Sequence, residues 1–277
     1  MAMTGARGTA AIAAVVALVC VGESAGIRAQ APAGAAAGAG RYIQAVPADP
    51  GNHDGWRSMF DGRTLAGWDG PRELWRVEDG AIVIQSVAEP PTGPAYLIWE
   101  GGEPRNFEFQ WELKLEGAGA NSGVQFRATR LGEVAGNPRT KWETRGYQAD
   151  VDNANANTGA LIECCRGPRR GVPPRSDRAF RGQVVRTAVA EGQTPTLLAA
   201  FDDPDRLAGF WRVGDWNRLH LIARDRTMMF FLNGQLMSVL IDDHPTMFVA
   251  SGVLAIQLEG RGDNKALFRN LWIRDLP

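Results

Sequence analysis

Cysteine is scarce: of three in 277 residues, Cys20 sits in an N-terminal apolar run and Cys164 and Cys165 are neighbours. Adjacent cysteines can close only a strained vicinal bridge, so no disulfide framework staples this fold. The pair reads as two small half-buried hydrophobes at a strand end, as a vicinal disulfide, or as thiolate metal ligands. Histidine is equally thin. His53, His220 and His244 are scattered without ligand spacing, so no histidine cluster supports a metal site. Charge of one sign is missing too. A net charge of −1 argues against a nucleic-acid binder driven by phosphate neutralisation. No internal repeat of fixed period is visible, which disfavours a propeller or solenoid.

The longest apolar run, TAAIAAVVALVCVG, has 14 residues. A bilayer span needs about 20, so no span is expected in the mature chain. That run follows Arg7 and precedes Ala29-Gln30-Ala31, a small-x-small cleavage site. The order is that of a secretory signal peptide over residues 1–31, and it predicts export to the periplasm or the medium. Val19 before Cys20, where a small residue would be needed, excludes a lipoprotein reading. PAGAAAGAGR, residues 32–41, can bury almost nothing and reads as a flexible spacer. The remainder, 42–277, fits one large all-β domain.

Strand signals dominate that domain. In FEFQWELKL, Phe107, Phe109, Trp111, Leu113 and Leu115 alternate with Glu108, Gln110, Glu112 and Lys114. A period of two places one row in a core and the other in water. Asp79-Gly80 and Asn233-Gly234, each between apolar runs, suit the positive backbone angles of tight hairpins. Helix signals are few; the best is Asp203 capping a short helix that begins at Pro204. Many short strands with at most one or two short helices predict a jelly-roll sandwich of two antiparallel sheets. The segment 166–195 reads as a long irregular loop with seven arginines between Arg166 and Arg186, a solvated surface or a basic flap over a groove.

Three strands carry polar rows opposite their apolar ones. Gln125 and Arg127 alternate with Val124 and Phe126; Gln148, Asp150 and Asp152 alternate with Tyr147, Ala149 and Val151; Gln257 and Glu259 alternate with Leu254, Ile256 and Leu258. Side by side, these strands would line one sheet face with amides, carboxylates and a guanidinium, the paired donors and acceptors that sugar hydroxyls need. Any half-wet sheet also shows a polar face. Trp75, Trp111 and Trp272 fall in strand patterns and read as core, whereas Trp99 and Trp142 flank loops and could stack on a pyranose ring.

WRSMFDGRTLAGWDG, LWRVEDGAIV, YLIWEGGEPRNFEFQWELKL, NSGVQFRA, GYQADV, TGALIE, GDWNRLHLIARD, FLNG, GVLAIQL and FRNLWIRDL run from about Gly55 to Leu276. In content and order they resemble 3-keto-disaccharide hydrolase domains. The resemblance implies a concanavalin-like jelly roll with its ligand on the concave face, and cleavage of glycosides whose carbon-3 hydroxyl is oxidised to a ketone. The expected partner is thus a sugar or oxidised glycoside. A carbonyl at carbon 3 acidifies the proton on carbon 2; a base removes it, the enolate expels the anomeric oxygen, and water adds back. Such chemistry needs a general base and a positive charge or metal at the enolate oxygen.

Carried onto this chain, the family pattern makes Asp150 or Glu163 the base and Arg127 the anion holder. Gln125, Tyr147, Gln148, Gln257, Glu259 and Trp99 become the substrate contacts. The chain departs from its relatives where Phe230 and Glu259 replace two histidines, Ile162 a tyrosine and Cys164 a glutamate. Glu259 could then join Asp150 and Glu163 as oxygen ligands of a hard divalent cation. The alternative is a non-catalytic carbohydrate-binding module on the same scaffold.

Overall fold

The alternation read in residues 107–115 appears in three dimensions as a ten-residue strand whose odd positions are buried and even positions half-exposed. The computed structural model describes residues 45–46, 48–86, 95–133, 135–136, 138–166, 175–190, 193–259 and 262–277. The expected leader and spacer lie outside these residues. Residues 49–277 form one compact unit.

Along the chain run β1 (Arg57–Ser58), β2 (Trp68–Asp69), β3 (Trp75–Glu78), β4 (Ala81–Ser86), β5 (Ala95–Trp99), β6 (Phe107–Glu116) and β7 (Asn121–Arg130). A 3-10 turn, Pro138–Trp142, leads to β8 (Thr144–Asp152), β9 (Ala160–Arg166), β10 (Arg175–Ala179), β11 (Gln183–Arg186) and β12 (Thr196–Ala200). The helix α1 (Pro204–Ala208) precedes β13 (Asn217–Arg224), β14 (Thr227–Leu232), β15 (Gln235–Ile241), β16 (Val253–Glu259) and β17 (Asn264–Asp275).

These strands build two sheets. One has ten strands in the order β12-β11-β15-β14-β13-β6-β17-β4-β3, with β1 added beside β17; the other has seven, β10-β9-β8-β7-β16-β5-β2. Pairing is antiparallel except between β11 and β15. Their inner faces share one apolar layer. Phe109 and Trp111 of β6 stack at 4.6 Å, and Phe230 of β14 lies parallel to Trp111 at 6.1 Å. From the other sheet, Val124, Phe126, Tyr147, Ala149, Leu254 and Ile256 close the same core. Such a two-sheet antiparallel sandwich with one short helix is the architecture the strand pattern predicted.

Local signals explain the connections. Asp79-Gly80 and Asn233-Gly234 take positive φ at both residues (47° and 76°, 49° and 83°), matching the twist of the strands they join. Asp203 caps α1, its carboxylate accepting from the amides of Asp205 and Arg206 at 2.7 and 3.0 Å. The expected irregular segment 166–195 instead contains β10, β11 and the edge of β9; residues 167–174 and 191–192 are outside the described set. Cys164 and Cys165 lie in the β9 backbone, and the expectations about their side chains also fall outside it.

Phe230 has a consequence for function. It is fully buried against Trp111 on the inner face of the ten-stranded sheet, so a residue at this position cannot share a surface with Glu259. Of the two positions where the family pattern has histidine, Phe230 therefore belongs to the core and only Glu259 to the polar face. Phe230→Ala should lower the unfolding free energy by about 3–5 kcal/mol, because the cavity forfeits ring contacts on both sides. Denaturant titration reads that loss.

Candidate active site

Pairing register decides which polar residues meet. Across the outward face of the seven-stranded sheet one row reads Ile98, Ala255, Gln125, Gln148, Ile162, Arg178. The next reads Tyr96, Gln257, Gly123, Asp150, Ala160, and a third Glu259, Asn121, Asp152. Gln125, Gln148, Asp150, Gln257 and Glu259 thus share one face, as the alternation suggested. Apart from Glu259 they are closed in, at 2%, 8%, 4% and 1% exposure.

Hydrogen bonds tie much of this face together. Gln125 donates through Nε2 to the Tyr96 hydroxyl at 3.1 Å and accepts from Thr144 at 2.8 Å. Gln148 donates to Asp150 Oδ1 at 3.2 Å. Trp142 packs over the apolar end, against the cluster of Tyr96, Ile98, Ala128, Val253 and Ala255. Asp152 does other work: its carboxylate accepts from the amides of Ala156 and Asn157 at 3.0 and 2.7 Å, closing the turn before β9.

Gln257 differs. Among the described residues neither its Nε2 nor its Oε1 has a hydrogen-bond partner, although the side chain is buried. An unmet buried polar group costs about 1–3 kcal/mol, and native folds keep such groups mainly where function needs them. In its row Gln257 faces Gly123, and Gly123 faces Asp150. A Cβ at Gly123 would lie 2.4 Å from the Ala149 carbonyl oxygen and 3.4 Å from Gln148 Nε2. Only glycine fits, because a Cβ there would overlap the Ala149 carbonyl, and no side chain at this position separates the amide from the carboxyl.

Electrostatics single out Asp150. Burial first, then the charges of Asp152 and Glu259, push its carboxyl up to about 7, against the pull of Arg178 and the Gln148 hydrogen bond. Desolvation also raises Glu259, exposed at its tip but crowded along its stem. Tyr96 is raised by burial, with the charges of Glu259 and Glu143 adding to it, and stays a neutral hydroxyl.

Four expected contacts lie elsewhere. Glu163 pairs with Tyr147 in register and shares the inward parity of Leu161, so it faces away from Asp150. Sequence alternation could not reveal this, since the register of β9 on β8 sets the face. Tyr147 also points inward, its hydroxyl donating to Asp242 Oδ2 at 2.5 Å. Arg127 follows the outward parity of Gln125, but a bulge between Phe126 and Thr129 puts it at φ 47° and turns it around. Its guanidinium donates to the Arg105 carbonyl at 3.0 and 2.6 Å and the Asp225 carbonyl at 2.7 Å. Burial lowers it to about 10, so it remains a cation pinned to backbone. Trp99 shares the parity of Leu97 and is 4% exposed in the core, with Arg57 over its ring at 4.8 Å. Asp150, Glu163 and Glu259 do not converge, and among the described residues no group of three His, Cys, Asp or Glu side chains could hold a metal ion.

Sequence reading passed over Tyr96, Gly123 and Arg178. The parity of Tyr96 and Ile98 against Leu97 and Trp99 was the available signal for the first. Nothing local marks Gly123, whose role comes from its opposite numbers across the sheet.

Fold and polar face together define a two-sheet antiparallel sandwich with a candidate sugar-facing sheet. Residues 55–274 match the 3-keto-alpha-glucoside-1,2-lyase-like domain, and the chain belongs to that carbohydrate-active family. Solved structures with a similar fold include a predicted glycosyl hydrolase of Parabacteroides distasonis (18% identity, 81% of this chain and 95% of that one, TM-score 0.47). Others are the carbohydrate-binding module CBM66 of Bacillus subtilis (14%, 76% and 96%, 0.42) and a galectin-like protein of Bacillus subtilis (13%, 82% and 92%, 0.43). No curated protein matches the chain significantly. Among the described residues no helix is long and apolar enough to cross a membrane.

Asp150 yields a stability test. Its folded pKa of about 7 lies above the unfolded value of 3.8, so between those values the native state holds a proton that the unfolded chain releases. Stability from this group is therefore present at low pH and lost as pH rises toward about 7, on the order of a few kcal/mol. Asp150→Asn should abolish that slope. Its unfolding free energy should exceed that of the parent at about pH 8 and approach it at about pH 4, as measured by denaturant titration.

Proposed function

We propose that the chain cleaves 3-keto-glycosides by elimination, with Asp150 as the base that removes the carbon-2 proton. The supporting observation is the Gln257–Gly123–Asp150 row: a buried carboxyl raised to about 7 on the same face as an unpartnered amide, with only a glycine between them in register. A base with a pKa near working pH is substantially ionised yet still basic, the optimum for proton abstraction. Gln257 Nε2 is placed to donate to the enolate oxygen that forms when the proton leaves, and Arg178 on the neighbouring row adds positive potential. Gln148 and Gln125, themselves held by Asp150 and by Tyr96 with Thr144, are the hydroxyl ligands. The carbon–oxygen bond at the anomeric carbon then breaks with its electron pair leaving on the aglycone oxygen, and water restores the ring carbon.

Release of aglycone from a 3-keto-glucoside tests this. Asp150→Asn should lower turnover by about 10²–10⁴-fold. In the parent, kcat/KM should rise with pH through about 7, since only the ionised carboxylate accepts the proton. Full turnover by the variant would remove Asp150 from the chemistry. The displacement of Arg127 and Glu163 from this face favours a second reading, a non-catalytic sugar-binding module, which predicts binding of the same glycoside without release.

We also propose export, on the N-terminal pattern of Arg7, a 14-residue apolar run and Ala29-Gln30-Ala31. Mass spectrometry of the protein recovered outside the cytoplasm should find an N-terminus at Pro32; an intact Met1 in that fraction would contradict it.

A further inference from the structure

The outward face of the ten-stranded sheet holds a second feature, on the opposite side of the sandwich from Asp150. Across β13, β6 and β17 one row reads Arg218, Glu112, Arg269, and the next His220, Gln110, Trp272. Two adjoining cavities of about 350 and 300 Å³ share Glu112 and Arg218. Both sit at the lower end of the range for small-molecule sites, about 300–1,000 Å³.

The smaller cavity is a cationic corner. Arg212, Arg218 and Arg269 face a single carboxylate, Glu112. Arg269 already satisfies that carboxylate at 2.6 Å and lies 3.9 Å over the Trp216 ring. The other two guanidinium groups have no ion-pair or hydrogen-bond partner among the described residues. Their backbones are fixed from below. Buried Asn217 accepts from the Arg212 amide at 2.9 Å and donates to its carbonyl at 2.8 Å, and Asn233 accepts from the Arg218 amide at 2.9 Å. A pair of fork-shaped donors on a rigid base fits a planar carboxylate, which arginine binds through two parallel hydrogen bonds.

The larger cavity supplies what a sugar ring needs beyond a charge. Gln110 and Asn270 offer amides, and His53 stacks on Trp272 at 4.1 Å to make an aromatic wall. Asn270 lies at φ 52° in the bulge that interrupts β17 pairing, so the strand bends where the cavity opens.

From this arrangement we infer that the outer face of the ten-stranded sheet is a second, non-catalytic carbohydrate site, selective for a glycan carrying a carboxylate. The uronate carboxylate sits between Arg212 and Arg218, and the adjoining sugar ring lies along Gln110 and Asn270 against the His53–Trp272 wall. A site there would hold an acidic polysaccharide while the Asp150 face treats a separate glycoside.

The probe is digalacturonate, titrated calorimetrically into the full chain beside neutral galactobiose and inorganic sulfate. Digalacturonate should bind and weaken with added salt, and galactobiose should not bind measurably. Arg212→Ala and Arg218→Ala should each weaken it about tenfold, the loss expected for a hydrogen-bonded charge. Arg212 is exposed, so its truncation cannot be confused with unfolding. Asp150→Asn should leave uronate binding unchanged and both arginine variants should leave glycoside turnover unchanged, which separates this site from the other. Equal binding of galactobiose, equal binding of sulfate, or digalacturonate affinity indifferent to both arginine variants would each overturn the proposal.

Discussion

A strand sends successive side chains to opposite faces, and burial of the apolar row between two sheets locks each strand against sliding. Everything distinctive here depends on that lock. Val124 and Phe126, Tyr147, Ala149 and Val151, and Leu254, Ile256 and Leu258 must all face Phe109, Trp111 and Phe230. Once they do, Gln125, Gln148, Asp150, Gln257 and Glu259 have no choice but the other face. A slip of one residue in any of the three strands would exchange its polar and apolar rows, turning amides or carboxyls toward the shared apolar layer.

The same lock explains the chemistry of Asp150. Its neighbours across the sheet are Gly123 and Ala160, the smallest residues available, so the carboxyl is hemmed in by backbone rather than reached by a compensating cation. Desolvation then dominates over the distant Arg178. A lysine or arginine at either neighbouring position would pair with it and hold it ionised far below neutrality. Small neighbours do two things at once: they keep the acid weak and they put no side chain between it and Gln257.

Charge is handled differently on the two outward faces. On the ten-stranded sheet, one carboxylate can serve two partners, with the Glu108 carboxylate in contact with His220 Nε2 at 3.0 Å and with the Arg274 guanidinium at 2.7 Å. Such half-exposed pairs contribute little to stability, about 0–1 kcal/mol each, but they fix geometry in the rows beside them. On the seven-stranded sheet the carboxyl is left without an arginine contact and amides take the ordering role. One face is built from forks and carboxylates, the other from amides and two acids raised by burial, Asp150 and Glu259.

What the sequence determined by itself is periodicity and punctuation. Alternation in 107–115, the Asp79-Gly80 and Asn233-Gly234 turns and the Asp203 cap are each set by contacts within a few residues, so the all-β sandwich and the polar parity of Gln125, Gln148, Asp150 and Gln257 were legible. Tertiary structure alone decided the rest. Arg127 has the right parity and the wrong direction because a bulge, defined only against β8, turns it inward to the Arg105 and Asp225 carbonyls. Glu163 and Trp99 follow the register of β9 and β5 on their neighbours, and Gly123 acquires meaning only from Gln257 on one side and Asp150 on the other. Local sequence sets which side chains alternate; which of them meet depends on hydrogen bonds between segments far apart in the chain.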